Sequence, residues 1–160
     1  MNPKQGGEPL PGRTVGPYRL EESLGSGGMG EVWRAWDERL RRRVAIKQIR
    51  TDVTLKNVRE RLRREAQAAA RLNHPAIVQV YDLLESEDGD WIVLELVDGQ
   101  PLRDLVREHG GLAPQRAARI GYEIAEGLAE AHSSGILHRD LKTANVMVTR
   151  SGRVKILDFG

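Results

Sequence analysis

The run Gly25-Ser26-Gly27-Gly28-Met29-Gly30 constrains this 160-residue chain more than any other feature. Ahead of it, Tyr18, Leu20, Glu22 and Leu24 alternate as residues of a strand do. Behind it, Glu31, Trp33 and Ala35 share one face of a second β-rich segment, and Val32, Arg34 and Trp36 share the other. A glycine loop between two strands is a hairpin, which separates it from two common phosphate-binding loops. In dinucleotide-binding folds the glycines open a helix. A Walker loop continues into Lys and then Ser or Thr, whereas Gly30 is followed by Glu31. What remains is a hairpin in which Gly25, Gly27 and Gly30 let backbone amides close over a ligand without side-chain obstruction. A plain glycine-rich turn is the alternative.

Four prolines and four glycines within residues 1–17 read as a flexible leader. Further strands are expected at 43–49, 77–84 and 91–97, with a helix at 57–72 that Asn73-His74-Pro75 ends. Past Gly99 the pattern turns helical, with a short helix at 102–109 and a long one from Pro114 to about residue 134. Two short strands, 146–149 and 153–157, flank Ser151-Gly152. The expected fold class is α+β: a five-stranded antiparallel sheet with one helix over 18–97, then a hinge near 97–99 and the start of a mainly helical part over 98–160.

With 39% hydrophobic and 30% charged residues the composition is that of a soluble globular protein. No run of eighteen apolar residues is present, and Pro and Gly stand where a signal peptide needs an apolar stretch, so a cytoplasmic location is expected. The absence of cysteine excludes disulfides and thiol catalysis. Between Arg39 and Arg64 eleven Lys or Arg face only two acids, Asp52 and Glu60. A solvated basic face accounts for this, and a docking surface for an acidic partner is the alternative. Aromatic residues do not interleave with these bases, so no nucleic-acid partner is expected.

Period two puts Ala45, Lys47 and Ile49 on one face of the third strand. In the 57–72 helix Val58, Leu62, Ala69 and Leu72 form an apolar stripe that includes Glu65. A carboxylate on a buried face needs a cation, and Lys47 is the candidate. In the 114–134 helix Arg116, Arg119, Glu123, Glu126 and Glu130 read as a polar stripe opposite an apolar one of Ala117, Ile120, Ile124, Leu128 and Ala131. His132 reads as a packed helix residue.

The glycine loop is followed in order by Val44-Ala45-Ile46-Lys47, by His138-Arg139-Asp140-Leu141-Lys142-Thr143-Ala144-Asn145, and by Asp158-Phe159-Gly160. Together these motifs resemble the protein kinase family, and within it the serine/threonine kinases of bacteria. The resemblance implies a protein-kinase-like fold, ATP and Mg2+ as cofactors, and protein substrates. It also implies roles for particular residues. Asp140 accepts or orients the substrate hydroxyl proton, and Lys142 steadies the γ-phosphate. Lys47, held by Glu65, reaches the α- and β-phosphates, and Asn145 and Asp158 bind the metal. Gly25, Gly27, Gly28 and Gly30 cover the phosphates. Leu24, Val32, Ala45 and Met147 sandwich adenine, Glu95 and Val97 offer it backbone groups, and Leu94 guards the deeper pocket. Thr143 replaces the commoner proline at its position. His138 and Phe159, with Ala69 and Val80, resemble an aligning spine, and Arg139 implies control by an activation-loop phosphate.

A kinase domain continues beyond Asp158-Phe159-Gly160, so the resemblance implies an N-terminal fragment, inactive alone. Its 114–134 helix and catalytic-loop base are expected to lack their packing surface, leaving that half poorly ordered. The alternative is a non-catalytic nucleotide-binding or decoy interaction module.

Overall fold

The computed structural model describes residues 11–27, 30–49, 56–86 and 89–159, with backbone alone at 27 and 56–59. Gly28, Met29 and Gly160 of the motifs, and the side chain of Val58, lie outside the described residues. Among the described residues, those before Lys56 together with Tyr81–Leu96 form one compact unit; Lys56–Val80 and those from Val97 onward form a second.

The first unit is a sheet of strands β1 (Thr14–Val15), β2 (Tyr18–Gly27), β3 (Gly30–Asp37), β4 (Arg42–Ile49), β5 (Val80–Leu84) and β6 (Asp90–Leu94). Their spatial order is β1-β2-β3-β4-β6-β5, so the five expected strands gain a sixth. The ladders from β1 to β4 and from β4 to β6 are antiparallel. Period two sends Leu20, Trp33, Ala35, Val44, Ile46, Trp91 and Val93 into one buried cluster. Burying each large side chain contributes roughly 1.5–3 kcal/mol, which makes this cluster the main source of the unit's stability. At the β3–β4 turn the buried Asp37 carboxylate accepts the N–H groups of Arg39 and Leu40, both at 3.0 Å. Arg41, at φ 51°, completes that turn.

Strand β1 occupies part of the segment whose composition reads as a leader. Leu20 N–H donates to the Arg13 carbonyl and Gly12 N–H to that of Leu20, both at 2.8 Å, and Val15 is buried. A two-residue Gly16-Pro17 turn joins β1 to β2, with Gly16 at φ 54° where a side chain is disfavoured.

In the second unit α1 (Lys56–Ala69) leads to the Asn73-His74-Pro75 turn, where His74 Nδ1 accepts the Ala76 N–H at 3.1 Å. The strand expected to begin at Ile77 begins at Val80. Residues 76–78 instead run beside β9 (Val154–Ile156): Ile156 N–H donates to the Ala76 carbonyl at 2.7 Å and Val78 N–H to that of Ile156 at 3.0 Å. Strands β7 (Gly99–Pro101), β8 (Val146–Thr149) and β9 form a three-stranded antiparallel sheet, with β8 central. Helix α2 (Leu102–His109) ends at Gly110, whose φ of 64° permits the left-handed cap. Pro114 opens α3 (Pro114–Ser133), where a missing N–H costs nothing.

Three expectations for α3 change. Its apolar stripe finds part of its packing surface within the chain. Ile120 joins Ala76, Leu102, Val146, Val148, Val154 and Ile156 in one cluster, Ile124 and Leu128 pack against it, and Ala131 packs with Leu72 and Ile77. This half therefore has a core, but Ala117 of the same stripe is exposed. Leu137 and Leu141, in the loop after α3, are 57% and 44% exposed, so the stripe and the loop base are covered only in part. Nor is Glu123 on a solvated face: it is 7% exposed. Gly127 brings the helix close to β9, because a Cβ there would stand 2.9 Å from Ile156 Cδ1 and 3.3 Å from Ala76 Cβ. His132 is exposed rather than packed.

Candidate active site

The loop after α3 is built on the imidazole of His138, 3% exposed. Asp140 N–H donates to its Nδ1 at 3.3 Å, so Nε2 carries the hydrogen that meets the Leu157 carbonyl at 2.6 Å. The ring stands edge-on to Phe159, centroids 4.8 Å apart, and Phe159 also packs with Leu72, Ile77 and Ala131. One side chain thus ties the loop to the end of β9. Among the described residues only Arg41, Arg139 and Asp158 are non-glycine residues at positive φ. Two of the three lie here, at 63° and 54°. Such backbone costs about 1–2 kcal/mol per residue and persists where neighbouring contacts over-determine it.

Two expected residues converge on Asp140. Lys142 Nζ donates to Asp140 Oδ2 at 2.8 Å, and Asn145 Nδ2 donates to the same oxygen at 3.2 Å and to the Asp140 carbonyl at 2.9 Å. The hydrogen bond and charge of Lys142, with the Asn145 amide and His138, hold the Asp140 carboxyl below its ordinary value of 3.8, against a smaller push upward from desolvation. Asp140 is therefore a carboxylate at neutral pH, and more than half of its side chain is open to solvent. Asn145 closes a 3-10 turn, Thr143–Asn145, and its carbonyl accepts the Leu157 N–H at 2.9 Å. With Nδ2 committed to Asp140, the Asn145 amide oxygen is turned away from Asp140. It and the Asp158 carboxylate are hard oxygen donors of the kind Mg2+ takes together with water and phosphate. Among the described residues no cluster of three His, Cys, Asp or Glu could hold a metal without such help.

Glu65, half-buried on α1, lies with Oε1 3.4 Å from Arg139 Nη1 and 3.8 Å from Arg61 Nε. Met147 is half-buried in β8, opposite Lys155 and Pro101, and Val97 is half-buried just ahead of β7.

The remaining expected residues belong to the first unit. Leu24 is 47% exposed. Gly25 pairs with Val32 across the β2–β3 hairpin, and Gly27 with Gly30. Val32 pairs in turn with Lys47, and Lys47 with Ile92. Ala45, buried, lies opposite Leu94. Glu95 follows as a half-buried residue. Since Val44 and Ile46 enter the core, Ala45 and Lys47 share the other face of β4, as the strand period requires. Sequence reasoning missed Glu123. Its Oε2 accepts the Val154 N–H at 2.9 Å and Arg153 Nε at 3.1 Å, and its Oε1 faces Arg119 Nε at 3.4 Å.

Comparison with known proteins bears on the fold and the family. The kinase domain of PknI from Mycobacterium tuberculosis superposes with a TM-score of 0.84 at 31% identity, over 95% of this chain and 61% of that one. Residues 18–160 match the protein kinase domain model, and the chain belongs to the protein kinase family. A probable serine/threonine-protein kinase of Corynebacterium efficiens is 49% identical over 148 residues, 89% of this chain and 22% of that protein. PknB of Mycolicibacterium smegmatis is likewise 49% identical over 89% of this chain and 24% of its own length. The chain thus spans under a quarter of the length of these curated relatives. Among the described residues no helix is long and apolar enough to cross a membrane.

Proposed function

We propose that this chain contributes the catalytic loop and nucleotide-binding strands of a kinase that moves the γ-phosphoryl group of Mg-ATP to a serine or threonine hydroxyl of a protein. The observation that carries this reading is the hydrogen-bonded set Asp140, Lys142 and Asn145. A solvent-facing carboxylate held below its ordinary pKa is a poor proton sponge but a good acceptor for orienting a hydroxyl. The hydroxyl oxygen forms the new bond to γ-phosphorus, its proton passes toward Asp140, and the bond to the β-phosphate oxygen breaks to release ADP. Lys142, two residues on, turns from Asp140 toward the phosphoryl oxygens as their charge spreads.

Mg2+, when bound, would neutralise phosphate charge, and Asn145 and Asp158 are the residues proposed to hold it. Lys47, steadied by Glu65, takes the α- and β-phosphates. Gly25, Gly27, Gly28 and Gly30 give backbone amides to the phosphates, and Leu24, Val32, Ala45 and Met147 enclose adenine. Glu95 and Val97 present backbone groups to it, with Leu94 behind.

The test is transfer of γ-labelled phosphate from Mg-ATP to a generic protein substrate by the protein purified from its source cells. Label on serine or threonine is expected. Nucleotide binding with no transfer to any hydroxyl would overturn the reading in favour of a non-catalytic module.

A further inference from the structure

Strand β9 is the edge of the three-stranded sheet, yet the backbone groups on its free side are taken. Ile156 donates to Ala76 and accepts from Val78, at 2.7 and 3.0 Å. On the opposite side, towards β8, Leu157 continues the ladder by donating to the Asn145 carbonyl at 2.9 Å, and its own carbonyl accepts from His138 at 2.6 Å. At the far end the Val154 N–H has no backbone acceptor on the free side; it is met at 2.9 Å by Oε2 of the buried Glu123 from α3. The β8–β9 hairpin therefore carries Asn145 just before its first strand and Asp158 two residues past its second, and Glu123 clamps it from the other end. A buried carboxylate is costly unless fully paired, and this one has Arg153 at 3.1 Å and Arg119 at 3.4 Å besides the amide. Those two arginines are more than half exposed, so their ion pairs are weak. The bond to the Val154 amide is the one made in full burial.

We infer that Glu123 is a positioning residue for the metal ligands: its clamp on the Val154 amide fixes the height of β9 and so the relation of Asp158 to Asn145. This rests on the kinase reading, which assigns those two residues to Mg2+, and adds a residue that touches neither metal nor substrate. Partners of metal ligands that act through hydrogen bonds typically change metal affinity about 10- to 100-fold when removed.

The variants separate the clamp from the charge. Glu123→Ala removes both, whereas Glu123→Gln keeps an oxygen for the Val154 amide and loses the anion. Arg153→Ala removes an ion pair alone. Two readouts apply to the protein from its source cells or its variants: hydrogen exchange of the 154–157 amides without metal, and Mn2+ affinity in the presence of a non-hydrolysable ATP analogue. Glu123→Ala is expected to speed exchange at Val154 and Leu157 and to weaken Mn2+ binding roughly 10-fold or more. Glu123→Gln and Arg153→Ala are expected to stay within about threefold of wild type, where removal of an exposed ion pair belongs. If Glu123→Ala does not fold, Glu123→Asp, one methylene short of the amide with its charge kept, replaces it with the same expected loss. A folded Glu123→Ala that keeps wild-type exchange and Mn2+ affinity overturns the inference, as does a Glu123→Gln as impaired as Glu123→Ala. Failure of the wild-type protein to bind Mn2+ with the nucleotide overturns the kinase reading itself, a different result from the same titration.

Discussion

In the sheet unit Ala45 and Lys47 are placed by the alternation of β4, whose other face, Val44 and Ile46, is fully buried beside Trp91 and Val93. In the helical unit Asp140, Asn145 and Asp158 are placed by polar ties: the His138 imidazole, the Asn145 side chain and the Glu123 carboxylate, each bonded to a backbone group. Apolar packing is non-directional and tolerates exchange among residues of similar volume. Hydrogen bonds fix an atom to within a few tenths of an ångström and fail when one partner is lost. Substitutions on the buried face of the first unit's sheet are therefore expected to act on stability, and those around the catalytic loop on chemistry.

The sharpest break of this contrast on the stability side is Trp91→Ala, at a side chain with 0% exposure. Loss of about 3–5 kcal/mol is expected in urea unfolding followed by far-UV circular dichroism. A loss under about 1 kcal/mol would show that the sheet does not depend on this cluster. Next comes Gly99→Ala, where a Cβ would sit in contact with the Val148 carbonyl oxygen and 2.8 Å from Thr149 Cα, both backbone atoms that side-chain rotation cannot move. A loss of about 1–3 kcal/mol is expected, with β7 peeling from β8 as faster amide exchange at Gln100 and Val148. Tyr18→Phe removes the 3.2 Å bond to Asp82, with about 1 kcal/mol lost. Burial first, then the charges of Asp82 and Asp37, push the Tyr18 phenol up to about 12. Its contribution is intact below pH 10 and fades as pH climbs toward 12, so the Phe variant should show a flatter alkaline limb. The smallest effect is at acid pH. Burial pushes the Glu123 carboxyl up, but the Val154 amide and Arg153 outweigh it and hold the folded value below 4.5. That contribution is present above pH 4.5 and lost as pH falls through the folded value, so Glu123→Gln should lose less stability on acidification than wild type.

The strands, α2 and α3 were legible because period and punctuation are local: Leu102–His109 ends at a glycine, and Pro114 starts the next helix. Asp140, Lys142 and Asn145 were legible for the same reason, lying within six residues that the structure bonds together. Glu123 was not. Its partner is a backbone amide 31 residues away, which has no side-chain signature, and an i,i+4 arginine made it look like a solvated helix acid. Strand β1 was hidden by a proline-rich composition, although the Gly16-Pro17 turn between Val15 and Tyr18 carried the signal. The stripe position of Glu65 on a buried face points to a cation beside it but not to which cations reach it: Glu65 is half-buried, with Arg61 and Arg139 near its carboxylate.

The most direct test of the polar catalytic loop is Asp140→Asn, read as transfer rate and urea midpoint in the same preparation. Asparagine keeps the shape and can still accept from Lys142, so an unchanged midpoint with transfer reduced roughly 10²- to 10⁴-fold is the expected result. Transfer within a few-fold of wild type would contradict the assignment of Asp140 as the residue that orients the attacking hydroxyl.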